Sequence, residues 1–493
     1  MPRRLRISAV SLGFLLVASP AWAQSPPASP TTVPIGDWLL SPTLELRSRG
    51  EYWRDPVEMG GGASTFVTAN GPATGFGPRV RDAGGVFERA RIGLGADKGA
   101  LRAQLTLQDS RAWGVPYPSA TLGGTQVPGA PNLSAFGPYE AYVEAHTSDD
   151  MRPTYLRVGR QAVVWGDGRL LGNADWSPVP RSLDAVRGHV AVGHFDFELL
   201  GAFLDTPRPL GIGAGDTTGV PHAGTELVAA QAMWTIDPLL VIQAFGFARF
   251  AESGGAGSVD PRSFALAGAD GHTYTAALRI AGDKSGWRYA LEGAYQFGTA
   301  PDLGGSNGVD RSAYAGAAYI SKRLERVALT PTIRLGGAYA SGDDGNGTYK
   351  QFDPLLPDTH VLHGAMDVFS WSNEIEGNAR VTIVPAAETS VAVEYRYAQM
   401  ANAGGEWVDA YLVSVGHVTG NASTSLGHEF DAIFTWRPWT ALDLVAGYSL
   451  YLLGDGARTI LAAEGRGATG ADGSADPTGV AHYAYLQATL RVP

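Results

Sequence analysis

The rhythm of its connections is what most restricts the fold of this 493-residue chain. From residue 43 onward, segments of about ten residues alternate apolar with polar or charged side chains, the period of a strand with one face in each of two solvents. Between these segments, short turns alternate strictly with the long connections 54–85, 111–137, 164–182, 205–224, 251–272, 298–309, 340–370, 400–428 and 454–481. A soluble sandwich or propeller has no reason to space its connections this way. A closed barrel inserted into a membrane from one side does, because short turns stay on the insertion side and long loops emerge on the other. The expected fold class is all-β: a transmembrane antiparallel β-barrel of about 18 strands, with short periplasmic turns and long extracellular loops.

Composition narrows the setting. The N-terminus carries Arg3, Arg4 and Arg6, then an apolar run over 7–18, then Ala21-Trp22-Ala23. These three regions in order read as a signal peptide over 1–23. A polar, Pro-rich flexible periplasmic leader over 24–41 follows, and then an outer-membrane barrel over 42–493. No other apolar run is long enough for a membrane-spanning helix. The absence of Cys excludes disulfides and thiolate chemistry. High glycine (65 residues) and an aromatic share of 10% suit a barrel with aromatic girdles. A formal charge of −11 argues against a nucleic-acid partner.

Alternation also divides the charges. Segment 43–53 sets Leu44, Leu46 and Tyr52 on one face, with Glu45, Arg47, Arg49 and Glu51 on the other. An arginine facing lipid near the midplane costs ~2–4 kcal/mol, so Arg47, Arg89, Arg91, Arg102, Arg157, Arg160, Arg187 and Arg334 are expected to line the pore. Arg279, Arg288, Arg380 and Arg396 fall inward by the same argument. So do acids that include Glu144, Glu198, Glu292, Glu374, Glu376, Glu394, Asp431 and Asp443, which makes the lining mixed. Two readings stand: an arginine ladder that guides carboxylates, or a self-neutralising network that stiffens the wall.

The stretch over 156–187 supplies further detail. Two alternating ends flank a loop rich in Gly, Asp, Asn and Pro. This loop, with Asp167, Arg169, Asp175, Trp176 and Arg181, either folds inward as a constriction or packs on the rim through Trp165, Leu170, Leu171 and Trp176. Within it, Gly159-Arg160-Gln161, the run GDGRLLG, Asp175-Trp176 and R-x-x-DAVR resemble the signature of the alginate export family. The block FDPLLPDTHVLHGAMDVFSW (352–371) resembles another segment of that family. The resemblance implies an outer-membrane β-barrel that conducts an anionic polyuronate past a basic constriction. Aligned by eye, Arg47 and Arg91 fall where the family has cations, whereas Tyr139, Ala162 and Asp443 replace them. The family also implies a long periplasmic turn that plugs the pore, and this chain has only Arg437-Pro438-Trp439-Thr440 there. The final residues, Leu490-Arg491-Val492-Pro493, depart from the aromatic ending that barrel-assembly machinery recognises.

Enzyme signatures are missing: no G-x-S-x-G, H-E-x-x-H or phosphate-binding loop occurs. The run 341–347 lacks the closing Glu of a calcium loop. His360 and His363 stand three apart without an evident third ligand, so no metal and no cofactor are expected. The expected function is a porin, not an enzyme, that passes an anionic polysaccharide or smaller anionic solutes by facilitated diffusion. The alternatives are a general or sugar-acid uptake porin or, further off, an outer-membrane hydrolase or adhesin. Its partners would be the substrate anion, outer-membrane lipid and the assembly machinery, with the barrel monomeric. An open lumen would suit export of a polymer, and inward-folded loops would suit uptake.

Overall fold

The computed structural model describes residues 32–54, 66–68, 71–73, 82–114, 119–122, 125–128, 132–147, 152–205, 225–251, 271–300, 308–412, 414–418, 420–463, 468–469, 475–476 and 479–492. Residues 1–31, which hold the expected signal peptide and the first part of the leader, lie outside them.

Eighteen strands form one closed antiparallel barrel. In chain order they are β1 (Trp38–Arg54), β2 (Asp82–Lys98), β3 (Leu101–Trp113), β4 (Asn132–His146), β5 (Tyr155–Gln161) and β6 (Leu183–Val192). Next come β7 (Phe195–Asp205), β8 (Thr225–Asp237), β9 (Leu240–Ala251), β10 (Gly271–Lys284), β11 (Trp287–Ala300) and β12 (Val309–Arg323). The last six are β13 (Thr332–Ala340), β14 (Glu374–Ile383), β15 (Thr389–Gln399), β16 (Ser425–Trp439), β17 (Leu442–Leu453) and β18 (Val480–Val492). Each pairs with its neighbour in sequence, and β1 meets β18 from Leu44↔Val492 to Arg54↔His482, which closes the wall and leaves no edge.

Side-chain alternation follows the two solvents. Ile92, Leu199 and Leu486 are 63%, 66% and 70% exposed on the outer face, while Arg89 and Arg279 on the inner face are 2% and 0% exposed. Aromatics gather near both ends of the wall. Phe195 and Trp234 stack 5.5 Å apart at the short-turn end, and Tyr274 with Phe297 (5.3 Å) and Tyr314 with Tyr339 (5.6 Å) do so at the long-loop end. Rings with one polar edge are suited to these two interfaces.

Several boundaries differ from the expected ones. Val33–Ile35 pairs back on Trp38–Leu40 through a turn at 36–37, and β1 already pairs with β2 at Leu39↔Asp97, so residues 33–35 and 38–41 are strand where flexible leader was expected. The apolar Trp38-Leu39-Leu40 extends the wall there. Strand β13, which alternation predicts over 326–339, starts only at Thr332. Residues 324–331 close a turn in which Leu324 N–H donates to Pro331 O, with Leu329 and Thr330 at positive φ. Strand β5 ends at Gln161, because Val163 and Trp165 leave the wall for the interior. The turn between β16 and β17 is shorter than expected still, at residues 440–441.

Candidate functional site

Two of the long connections, 162–182 and 341–373, fold into the barrel and meet there. The inner face of β6–β12 explains half of this. It is lined by Leu183, Ala185, Leu200, Ala202, Leu227, Ala229, Phe245, Phe247, Ala277, Ala294 and Ala315, apolar side chains that would be poorly hydrated in an open channel. Val163, Trp165, Leu170 and Leu171 of the first loop and Phe352, Leu355, Leu356 and Trp371 of the second cover that face, making one buried cluster. This half of the lumen is a packed core.

The other side of the first loop docks on arginines of β1 and β2. Arg47 donates to the carbonyls of Asp175 (2.7 Å), Trp176 (3.1 Å) and Ser177 (3.0 Å). Arg49 donates to Trp176 O at 2.8 Å and lies 3.6 Å over the indole of Trp176. Arg89 bridges Glu45 (2.7 Å) and the Asp175 carboxylate (3.0 Å), and Arg91 reaches both at 3.5 Å. A register shift at Thr106/Leu107 sets Tyr139 as the extra residue of β4, facing inward, where Arg91 stacks on it at 3.7 Å. Arg491 and Arg437 extend the network through Glu45 and Asp443. In this seat six arginines (47, 49, 89, 91, 437 and 491) stand against four carboxylates (Glu45, Glu51, Asp175 and Asp443). Burial would raise the Asp175 carboxyl, but Arg89, Arg47 and Arg91 outweigh it and hold Asp175 well below the usual carboxylate range.

The two loops are stitched by their backbones. Leu171 and Leu356 form an isolated parallel bridge, Gly172 N–H donates to Leu356 O (2.7 Å), and Asp358 N–H donates to Gly168 O (2.8 Å). A Cβ at Gly172 would stand 2.8 Å from the Asp358 backbone nitrogen, so this approach requires glycine. Arg181 spans the seam, giving Nη1–H to Gly172 O and Leu356 O, each at 2.7 Å. Burial pushes the Asp358 carboxyl up to about 6, and it lowers Arg181 to about 10.

The remaining sequence candidates fall in different places. Asp167 pairs with the fully buried Arg279 of β10. Arg102 and Arg157 converge on Glu144, and Arg187 pairs with Glu198 at 2.7 Å, all on the inner face. Arg160 is a correction. It shares its face with Leu156 and Val158, which are 54% and 46% exposed, and it pairs with Asp184 (2.9 Å) on the outside of the wall. That position is at the loop end of β5, where an outward charge reaches water. Arg169 and Arg334 form no ion pair among the described residues. Arg169 lies 5.4 Å over Trp371, and Arg334 lies 4.5 Å over Tyr319.

Sequence reasoning placed Glu45 on the Arg47 face without giving it a partner, and it missed Arg491 and Tyr319. The run 341–347 is a hydrogen-bonded turn, in which Asp343 accepts from Lys350 N–H and Asp344 pairs with the Lys350 ammonium. His360 and His363 part company. His360 bonds Asp367 (2.9 Å), while His363 turns to Glu376 (2.9 Å).

Comparison with known proteins agrees with this architecture. No curated protein matches the chain in sequence. Among solved structures, OccAB2 of Acinetobacter baumannii superposes with a TM-score of 0.53 at 10% identity, covering 92% of this chain and 98% of that one. OpdK of Pseudomonas aeruginosa, solved with vanillate, gives 0.52 at 10% over 92% and 98%. OccK2 (OpdF) of Pseudomonas aeruginosa, solved with glucuronate, gives 0.51 at 11% over 92% and 96%. At these identities the likeness is one of fold. In sequence, the description of alginate export matches residues 58–203 and 252–470, and the chain belongs to the alginate export family of outer-membrane β-barrels.

Proposed function

We propose that this barrel is a narrow porin for small organic anions, of the size of a sugar acid or an aromatic carboxylate, and not an open conduit for a polyuronate chain. The observation that carries this reading is the inward lock of 162–182. Its backbone is held by Arg47, Arg49 and Arg89, and its apolar side is buried against β6–β12. A polymer would have to pass beside a fixed, packed obstruction, whereas a single carboxylate needs only a charged gap.

The seat keeps more arginines than acids, so the gap carries a positive field even though its guanidinium groups are hydrogen-bonded. Arg169 and Arg334 add cations that stack on aromatic rings and form no ion pair among the described residues. A guanidinium stacked on a ring still offers its N–H edge to a passing carboxylate, and the ring limits how tightly that anion is held. Conduction needs this balance of entry and release. Barrels of the same fold solved with vanillate and with glucuronate are consistent with that size of solute. The two-residue turn at 440–441 leaves no periplasmic plug of the kind a polymer exporter would use.

Planar-bilayer conductance and liposome swelling test the reading. Anion-selective channels of small conductance, with glucuronate permeating faster than glucose and oligouronates excluded, are expected. Large conductance with passage of long oligouronates would overturn it in favour of polymer export.

A further inference from the structure

The second inward loop is fixed at a point that the porin reading does not require. Its short helix α1 (Thr359–His363) ends in His363, 1% exposed, and the loop rejoins the wall at Glu374, the first residue of β14. Glu374 and Glu376 lie two apart on that strand and so share its inner face. Both point their carboxylates at one atom. Glu376 Oε2 is 2.9 Å and Glu374 Oε2 is 3.3 Å from His363 Nδ1.

Hydrogen bonding alone accounts poorly for this triad. An imidazole nitrogen carries one proton, and here it serves Glu376 at the shorter distance. Neither oxygen of Glu374, whose side chain is 1% exposed, then receives a hydrogen bond. The surroundings do not relieve the deficit. Glu429, Asp431 and Glu394 are also buried nearby, and Arg396 is already committed to Glu376 and Glu394. Burying a carboxyl group whose oxygens receive no hydrogen bond is costly in a protein.

A metal ion removes each of these difficulties. Imidazole nitrogen and carboxylate oxygens bind zinc at ~2.0–2.2 Å, so tetrahedral ligand atoms stand roughly 3.3–3.6 Å apart. The Glu374 distance of 3.3 Å to Nδ1 sits at the lower edge of that range, the 2.9 Å of Glu376 is short of it and would open on binding, and the three ligand atoms all lie within 4.8 Å of one another. The outer contacts suit a ligand set as well. Glu376 gives its other oxygen to Asn378 Nδ2 (2.5 Å) and Arg396, which leaves Oε2 aimed inward, and Phe369 packs edge-on against the His363 ring.

We propose that His363, Glu374 and Glu376 form a binding site for a divalent ion of the zinc class, which fastens loop 341–373 to the barrel wall. One ligand comes from the loop and two from β14, so the ion acts as a structural rivet, with water as the fourth ligand. The inference is independent of what the pore conducts.

The test uses the full barrel folded in detergent. Protein isolated without chelator is expected to carry roughly one zinc per chain by elemental analysis. Metal-free protein should gain the visible bands of tetrahedral Co2+ when cobalt is added, and zinc should raise its Tm by several degrees. Glu374→Gln should weaken binding by about tenfold or more, whereas His189→Gln, on β6 away from the triad, should leave it unchanged. Should Glu374→Gln fail to fold, the cobalt spectrum of the unaltered protein still decides. No cobalt bands and no zinc-dependent shift would overturn the site, leaving two acids that share a proton. A shift with Ca2+ but not with Zn2+ would equally overturn the zinc-class assignment.

Discussion

The indole of Trp176 and the imidazole of His360 lie face to face, their centroids 3.9 Å apart and their planes 4° from parallel. One ring belongs to each inward loop, and the guanidinium of Arg49 covers the indole at 3.6 Å. The stack is thus the point where the wall, the first loop and the second loop are held together. Trp176→Ala removes the ring stack and the cation–π contact, together worth about 1–3 kcal/mol. Single-channel recordings should then show a noisier and larger conductance, with proteolysis cutting near residue 176. An unchanged trace would mean that the backbone bonds to Arg47 hold the loop by themselves.

Arg89 joins Glu45 to Asp175 within a nearly dry seat. Arg89→Met would leave both carboxylates short of a cation, a loss of about 3–5 kcal/mol, while Asp175→Asn should cost less because its carbonyl bonds to Arg47 and Arg89 survive. Denaturation midpoints of the two single variants and the double variant give the coupling. A coupling below about 0.5 kcal/mol would remove this pair from the lock.

Arg169 and Arg334, which form no ion pair among the described residues, supply the anion-attracting charge in the proposed function. Arg169→Gln and Arg334→Gln should each lower the anion-to-cation permeability ratio several-fold with little change in barrel stability. Arg160→Gln, on the outer face, should leave selectivity where it was. Reversal potentials in a salt gradient measure all three, and equal effects from all three would refute the assignment.

Asp358 gives the loop seam a dependence on pH. Burial raises its carboxyl, and so do Asp175 and Asp367, to about 6 from an ordinary 3.8, with His360 and Arg181 opposing. Between those two values the folded protein holds the extra proton, so the group's contribution to stability falls as pH rises through that window. Asp175 is depressed instead, so it stays ionised over the same range and keeps its arginines. Amides of the seam, corrected for intrinsic rates, should therefore exchange more slowly at about pH 5 than at about pH 7.5. Asp358→Asn should abolish that difference.

Strands were legible in the sequence because alternation is enforced twice, by lipid outside and by polar partners or packing inside. Most of the eighteen barrel strands fall within a few residues of the expected positions, but β4 starts at Asn132, inside the connection expected over 111–137, and Pro331 and the inward turn at Val163 cut two others short. The site was legible in composition but not in pairing. Arg47 and Asp175 are 128 residues apart, and no local pattern reports which of two plausible loop positions the chain adopts. The apolar inner faces of β8–β10, with Leu227, Ala229, Phe245, Phe247 and Ala277, were the available signal. Strands apolar on both faces need something inside to cover them. Arg160 was misassigned although its even spacing from Leu156 and Val158 already set it on the lipid side.

The seat of the first loop is divided between the two ends of the chain: Arg47 and Arg49 ride on β1, and the edge of Trp176 rests on Tyr485 of β18. Those strands become neighbours only when the wall shuts. Narrowing of the pore is therefore a late event in the life of each molecule. A barrel arrested with its seam ajar would hold an incomplete seat, and its loop would swing free until the last strand arrived.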